Sequence, residues 1–236
     1  MVEKYRKICL NIILVMILIL SLTGCNSGEE QNKTIEDKID EEISYIENKI
    51  LTFFTRYAKG EYGNNNDLDW SAIDENITEL NDILDTLILD LSDIEVGNEN
   101  IIAFRNELNE LSIAASNKNI NLVVQKYAKL YSLLPTYKKQ YSNNKNSIYI
   151  MELKSLIISS FAYSNDLDWE NAKNTMILAE TKYKEMMDDI DYMQEYSYNL
   201  NKVYILIEEL KSAVELEELE LTKVKYVNFI EKYNCK

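Results

Sequence analysis

The chain has 236 residues, 40 of them Asp or Glu against 25 Lys or Arg, for a formal net charge of −15, and it has no histidine. The missing imidazole excludes Ser-His-Asp and Cys-His catalysis and histidine metal sites, and the acidic balance repels nucleic acid and anionic headgroups while favouring cations or basic partners. One proline and five glycines argue against a fold rich in strands and turns.

The first element is a leader. Lys4, Arg6 and Lys7 form a positive n-region, and an apolar run of 13 residues follows from Ile8 to Leu20, interrupted by Asn11. That length suits a signal peptide and is short for a membrane span. The run is closed by Leu22-Thr23-Gly24-Cys25, which resembles the lipobox of bacterial lipoproteins. The resemblance implies cleavage before Cys25, diacylglycerol on its sulfur, and a lipid-anchored protein on the extracytoplasmic face of the cell membrane. Two acyl chains hold stably because each buried CH₂ contributes about 0.8 kcal/mol. Residues 1–24 are then the signal peptide and 25–34 a lipidated flexible tether, polar and without periodicity. Losing Lys4, Arg6, Lys7 and Glu3 with the leader takes the charge from −15 to −17. Cys9 leaves with the signal, so Cys235 has no intramolecular partner and there is no disulfide framework.

Apolar spacing of three and four residues then predicts helix after helix. Ile35, Ile39, Ile43, Ile46, Ile50, Phe53 and Tyr57 make the first seam, ended by Gly60 and the Asn-rich stretch to Asn66. The second begins at Asp67-Leu68-Asp69-Trp70 and carries Ile73, Ile77, Leu80, Leu84, Leu87 and Leu91, with a break at Gly97. The third carries Ile101, Phe104, Leu108, Leu111 and Ala115, ended by Asn117-Lys118-Asn119. The fourth carries Ile120, Val123, Tyr127, Leu130 and Leu134, and Pro135 is expected to stop it.

A shift of 99 positions (169 − 70) lays Asn66-Asp67-Leu68-Asp69-Trp70 on Asn165-Asp166-Leu167-Asp168-Trp169. The register then holds: Leu91 falls on Ile190, Leu108 on Ile207, Glu110-Leu111 on Glu209-Leu210, and Lys126-Tyr127 on Lys225-Tyr226. Upstream of the motif it slips, because the preceding loops differ in length. The expectation is an all-α antiparallel helical bundle built by tandem duplication of a unit of about 100 residues. The units are expected at 35–135 and 136–236, with a junction over 136–146 into part of which helix is expected to run, since Tyr137 and Tyr141 are four apart. The body resembles uncharacterised helical lipoproteins of Gram-positive bacteria, a likeness that implies no activity.

Candidate sites are few. Asp67, Asp69 and Trp70, with Asp166, Asp168 and Trp169, are the sharpest local feature. Their carboxylates suit a hard cation, but the Gly and later Glu of a Ca²⁺ loop are missing. Asp beside a helix start instead accepts bonds from free backbone N–H groups, and Trp in the first turn staples the entering chain. Both indoles are expected to be largely buried. Asp188, Asp189 and Asp191 form an acidic cluster at a helix end, a cation or basic-partner site or simply a solvated face. The run Glu215-Leu216-Glu217-Glu218-Leu219-Glu220 has the same two readings. Tyr127, Tyr131, Tyr137 and Tyr141, and again Tyr183, Tyr192, Tyr196, Tyr198 and Tyr204, suit sugars or quaternary amines, but rim packing with the hydroxyl in water is the expectation. No nucleophile motif or phosphate loop is present, so the expectation is a non-enzyme with no cofactor and no metal. It is a helical interaction module anchored to the membrane through Cys25 that contacts another envelope protein and no nucleic acid. Cation or small-solute binding is the alternative.

Overall fold

The structure, a computed structural model, describes residues 34–63, 67–94 and 98–234, without the side chains at 98, 190–199 and 234. The leader, Cys25, the tether through Lys33, the side chain of Asp191 and Cys235 lie outside the described residues. The described residues form eight helices and no strand: α1 (Ile35–Ala58), α2 (Trp70–Asp93), α3 (Asn98–Ser116), α4 (Ile120–Tyr141), α5 (Lys145–Asn165), α6 (Trp169–Asp188), α7 (Ile190–Glu215) and α8 (Leu219–Asn234). None is long and apolar enough to cross a membrane. The fold is all-α, an antiparallel helical bundle.

The helices begin where short polar side chains satisfy free N–H groups. Asp69 accepts from Ala72 N at 3.1 Å, Asn119 from Leu122 N at 3.1 Å, Asn144 from Ser147 N at 3.1 Å and Asp168 from Asn171 N at 3.2 Å. Two of them end in left-handed turns of similar form: Lys118 closes α3 at φ 53° and Glu217 closes α7 at φ 57°. In both, the turn is tied by matching backbone bonds, Lys118 N to Ala115 O at 2.8 Å and Glu217 N to Val214 O at 3.1 Å.

Each helix packs antiparallel on the next, and side chains fix the register. Lys49 on α1 meets Glu79 on α2, Tyr137 on α4 meets the Asn100 carbonyl on α3, and Glu152 on α5 meets Lys182 on α6 at 3.0 Å. The α1–α4, α4–α5, α5–α8 and α8–α1 pairings close a ring at the centre, flanked by α2 and α3 and by α6 and α7. Exchanging α1 with α5, α2 with α6, α3 with α7 and α4 with α8 leaves this pairing scheme unchanged.

Aromatic rings fill the ring's interior. Phe53 stacks on Tyr127 at 3.9 Å, Phe161 stacks on Tyr226 at 4.4 Å, and Phe54 meets both Phe161 and Tyr226, at 5.9 and 6.0 Å. Every seam position of the first four helices is buried except Ile35, Ile101 and Ile120, which are half-buried at helix starts. Residues Ile35–Lys236 form one compact unit, and the expected boundary between 135 and 136 falls inside α4.

Three expectations are corrected. Pro135 does not stop α4, which continues to Tyr141. A proline inside a helix costs about 3 kcal/mol, but the turns beyond it are anchored. Tyr137 donates to the Asn100 carbonyl, Lys138 pairs with Asp40 at 3.1 Å, and Tyr141 donates to Asp40 at 2.6 Å. The junction therefore shrinks to residues 142–144. Tyr127, Tyr131 and Tyr137 of α4 are core, not rim, because each buried hydroxyl finds an acceptor within the fold. Tyr127 donates to Asn76 at 2.7 Å and Tyr131 to Glu47 at 2.7 Å. Trp70 and Trp169 are half-buried against the core, since the first residue of a helix projects past its neighbours' ends.

Candidate functional site

The two corners before α2 and α6 carry the same residues in different shapes. Before α2 the chain runs through Gly63 at φ 97°, where an added Cβ would lie 2.4 Å from the Asp67 carbonyl oxygen. Asp69 N closes the corner on Tyr62 O at 2.7 Å, and Leu68 is buried. Before α6 the chain turns in three residues. Leu167 adopts φ 61° and is 63 % exposed, at a cost of roughly 1–2 kcal/mol for an L-residue.

Three of the four corner carboxylates are committed within the fold. Asp69 and Asp168 cap α2 and α6, and Asp168 also takes a bond from Asn171 Nδ2 at 2.6 Å. Asp166 accepts from Gln125 Nε2 at 3.0 Å. Asp67 is exposed at the surface. Each corner supports the capping chemistry, with the indole of the following Trp packed half-buried against the core. Among the described residues no group of three or more Cys, Asp or Glu is placed to hold a metal ion.

Asp188 ends α6, exposed, and Asp189 is its C-cap residue with its N–H on Met186 O. The structure brings no described basic or acidic side chain of another helix onto Asp188. Glu215 to Glu220 span the α7–α8 turn, where Glu217 pairs with Lys173 at 2.6 Å and Glu220 with Lys223 at 2.7 Å.

Periodicity alone misses two features. One is a polar groove of about 330 Å³ between α1 and α2, lined among others by Tyr45, Asn48, Lys49, Arg56, Glu75 and Glu79. Both of its cations are paired, Lys49 with Glu79 and Arg56 with Glu61 at 3.7 Å. The other is a set of ionisable groups buried among the helices. Lys154 pairs with Glu47 at 3.0 Å, and Tyr131 donates to the same Glu47 oxygen. Glu42, only 9 % exposed, has an oxygen, Oε2, with no hydrogen-bond partner. Burial first, then the charge of Asp90, push its carboxyl up to about 7, against a smaller pull from Lys38. At the other extreme, hydrogen bonds from Lys184 and Lys211 hold Glu180 down to about 2. The sequence signal for Glu42 and Glu47 was their place directly beside the seam positions Ile43 and Ile46.

Against known proteins, the chain matches no family model, no curated protein and no solved structure.

Proposed function

We propose that the chain is a lipid-anchored, extracytoplasmic helical module that works by contact with another envelope protein. The observation that carries the anchoring is Leu22-Thr23-Gly24-Cys25 closing an apolar run of signal-peptide length behind three basic residues. The reading of the body as an interaction module is supported by how the chain spends its chemistry. Asp69 and Asp168 are helix caps, the hydroxyls of Tyr127 and Tyr131 bond to acceptors within the bundle, and the interior is filled with side chains. What remains distinctive is the outer surface.

The reading includes a tandem duplication. It is supported by α2 and α6 starting 99 positions apart, α3 and α7 ending 99 apart and α4 and α8 starting 99 apart. Glu110–Lys126 and Glu209–Lys225 are ion pairs in the same relation.

The anchoring is tested by metabolic labelling with a fatty acid. Wild-type protein should carry the label, and Cys25→Ala should be unlabelled and keep its leader. Equal labelling of the two would overturn the proposal.

A further inference from the structure

The two helices that close the halves are treated differently at their first turns. On α4, Leu122 and Gln125 are half-buried. The α5–α6 corner lies on them: Asn165 Nδ2 donates to Asn121 Oδ1 at 3.3 Å, and Gln125 donates to Asp166. On α8 the positions 99 residues on are Glu220, Leu221 and Val224. The side chain of Glu220 is 83 % exposed, Leu221 is 37 % exposed and Val224 57 %. Leu216, in the turn just before, is 66 % exposed.

The helix corner that stands in the matching place does not cover them. Lys59, at the end of α1, pairs with Glu231 at 2.6 Å. Tyr57, two residues earlier, lies near enough to Glu220 to feel its charge, yet Leu216, Leu221 and Val224 stay exposed. The result is an uncovered apolar strip, Leu216, Leu221 and Val224, whose spacing of five and three residues keeps the two helical members on one face. Exposed Glu215, Glu217, Glu218 and Glu220 border it.

We infer that this strip at the start of α8 is the docking surface for a basic amphipathic helix of another envelope protein. The inference rests on the reading of the chain as an interaction module and says where that contact is made. Two observations select the occupant. A helix corner is what covers the corresponding strip on α4, so the shape accommodates helical backbone. Glu217 and Glu220 are engaged by Lys173 and Lys223, while Glu215 and Glu218 complement Lys or Arg flanking an apolar pair on the partner and oppose both an anionic bilayer and a second copy of this acidic chain.

The test uses the full lipidated chain in its own envelope, with a photoreactive benzophenone residue replacing Val224 and, in separate controls, Ile102 on α3 or Leu178 on α6, which are also exposed. The expected result is an adduct from position 224 whose partner peptide, identified by mass spectrometry, is a basic amphipathic helical segment. Glu215→Lys with Glu218→Lys should lower that yield about tenfold or more, since like-charge contacts across an interface cost several kcal/mol. Unchanged melting of the double variant shows that the fold is intact. An adduct to lipid, to a second copy of this chain or to an acidic or neutral peptide would overturn the inference, as would a yield indifferent to the charge reversal. Adducts from the controls with none from 224 would remove this surface and leave the interaction module standing. Failure at every position would remove both.

Discussion

Glu42 shows how one carboxylate makes a fold depend on pH. It sits on α1 at the interface with α2, close enough to Asp90 to feel its charge, and Lys38 on its own helix supplies only a smaller opposing pull. From α4, Lys138 and Tyr141 turn to Asp40 instead, and from α5, Lys154 is taken by Glu47. The folded protein therefore binds a proton at Glu42 with a pKa of about 7 against the ordinary 4.5. A raised carboxyl pKa contributes stability that is complete below the unfolded value and lost as pH rises through the folded one. Urea unfolding at pH 5 and pH 8 checks this. Glu42→Gln should be more stable than wild type at pH 8, by about 1–3 kcal/mol, and nearly equal to it at pH 5. A variant destabilised equally at both would show that the carboxylate is satisfied after all. Glu47 solves the same burial differently, with Lys154 and the Tyr131 hydroxyl on one oxygen. Helical spacing places both acids on the flanks of the α1 seam. It does not reveal which flank a neighbouring helix will cover, and that decides the chemistry of each.

At the level of the helix, local residues set the starts and distant contacts set the stops. The capping Asp before each Trp was legible, because an N-cap needs only its own side chain and the N–H groups two or three residues on. Asp69→Ala and Asp168→Ala should each lower stability by about 0.5–2 kcal/mol in urea titrations. Trp70→Ala and Trp169→Ala should fall short of the 3–5 kcal/mol or so of a fully buried aromatic, since both indoles are half-buried. A loss of that full size would mean that the indoles carry core packing. The end of α4 was not legible. Pro135 removes one helical hydrogen bond, a purely local signal, while the bonds that outweigh it come from Asn100 and Asp40, 37 and 101 residues from their tyrosine partners. The exposed, left-handed Leu167 was equally hidden. Its sequence twin Leu68 is buried in a corner eight residues longer, so the same Asp-Leu-Asp-Trp yields two conformations according to the loop that delivers it.

Across the described residues, the all-helical class followed from periodicity, and the closed ring did not. Four-residue spacing says that a face is apolar and is silent about which other face it meets. The α8–α1 pairing joins the two ends of the described body and has no short loop to announce it. The same limit applied to the tyrosines: a ring on an apolar stripe reads as core or rim, and only the acceptor beyond it decides. Here Asn76 and Glu47 stand ready inside the bundle, and Asp40 at its surface receives Tyr141. That placement makes the phenolic proton a structural component. Burial raises Tyr127, Tyr131 and Tyr226 well above 10.0, so the stability they lend is complete below about 10 and drains as alkali is added. In an alkaline titration the phenolate absorbance of these rings should therefore rise together with the loss of helical ellipticity, in a single cooperative step. Gradual ionisation with the helices intact would show that base reaches the core without opening it. A bundle that buries phenols within its aliphatic core thus carries its own optical indicator of unfolding, one that responds to hydroxide where a purely aliphatic core would give no colour change at all.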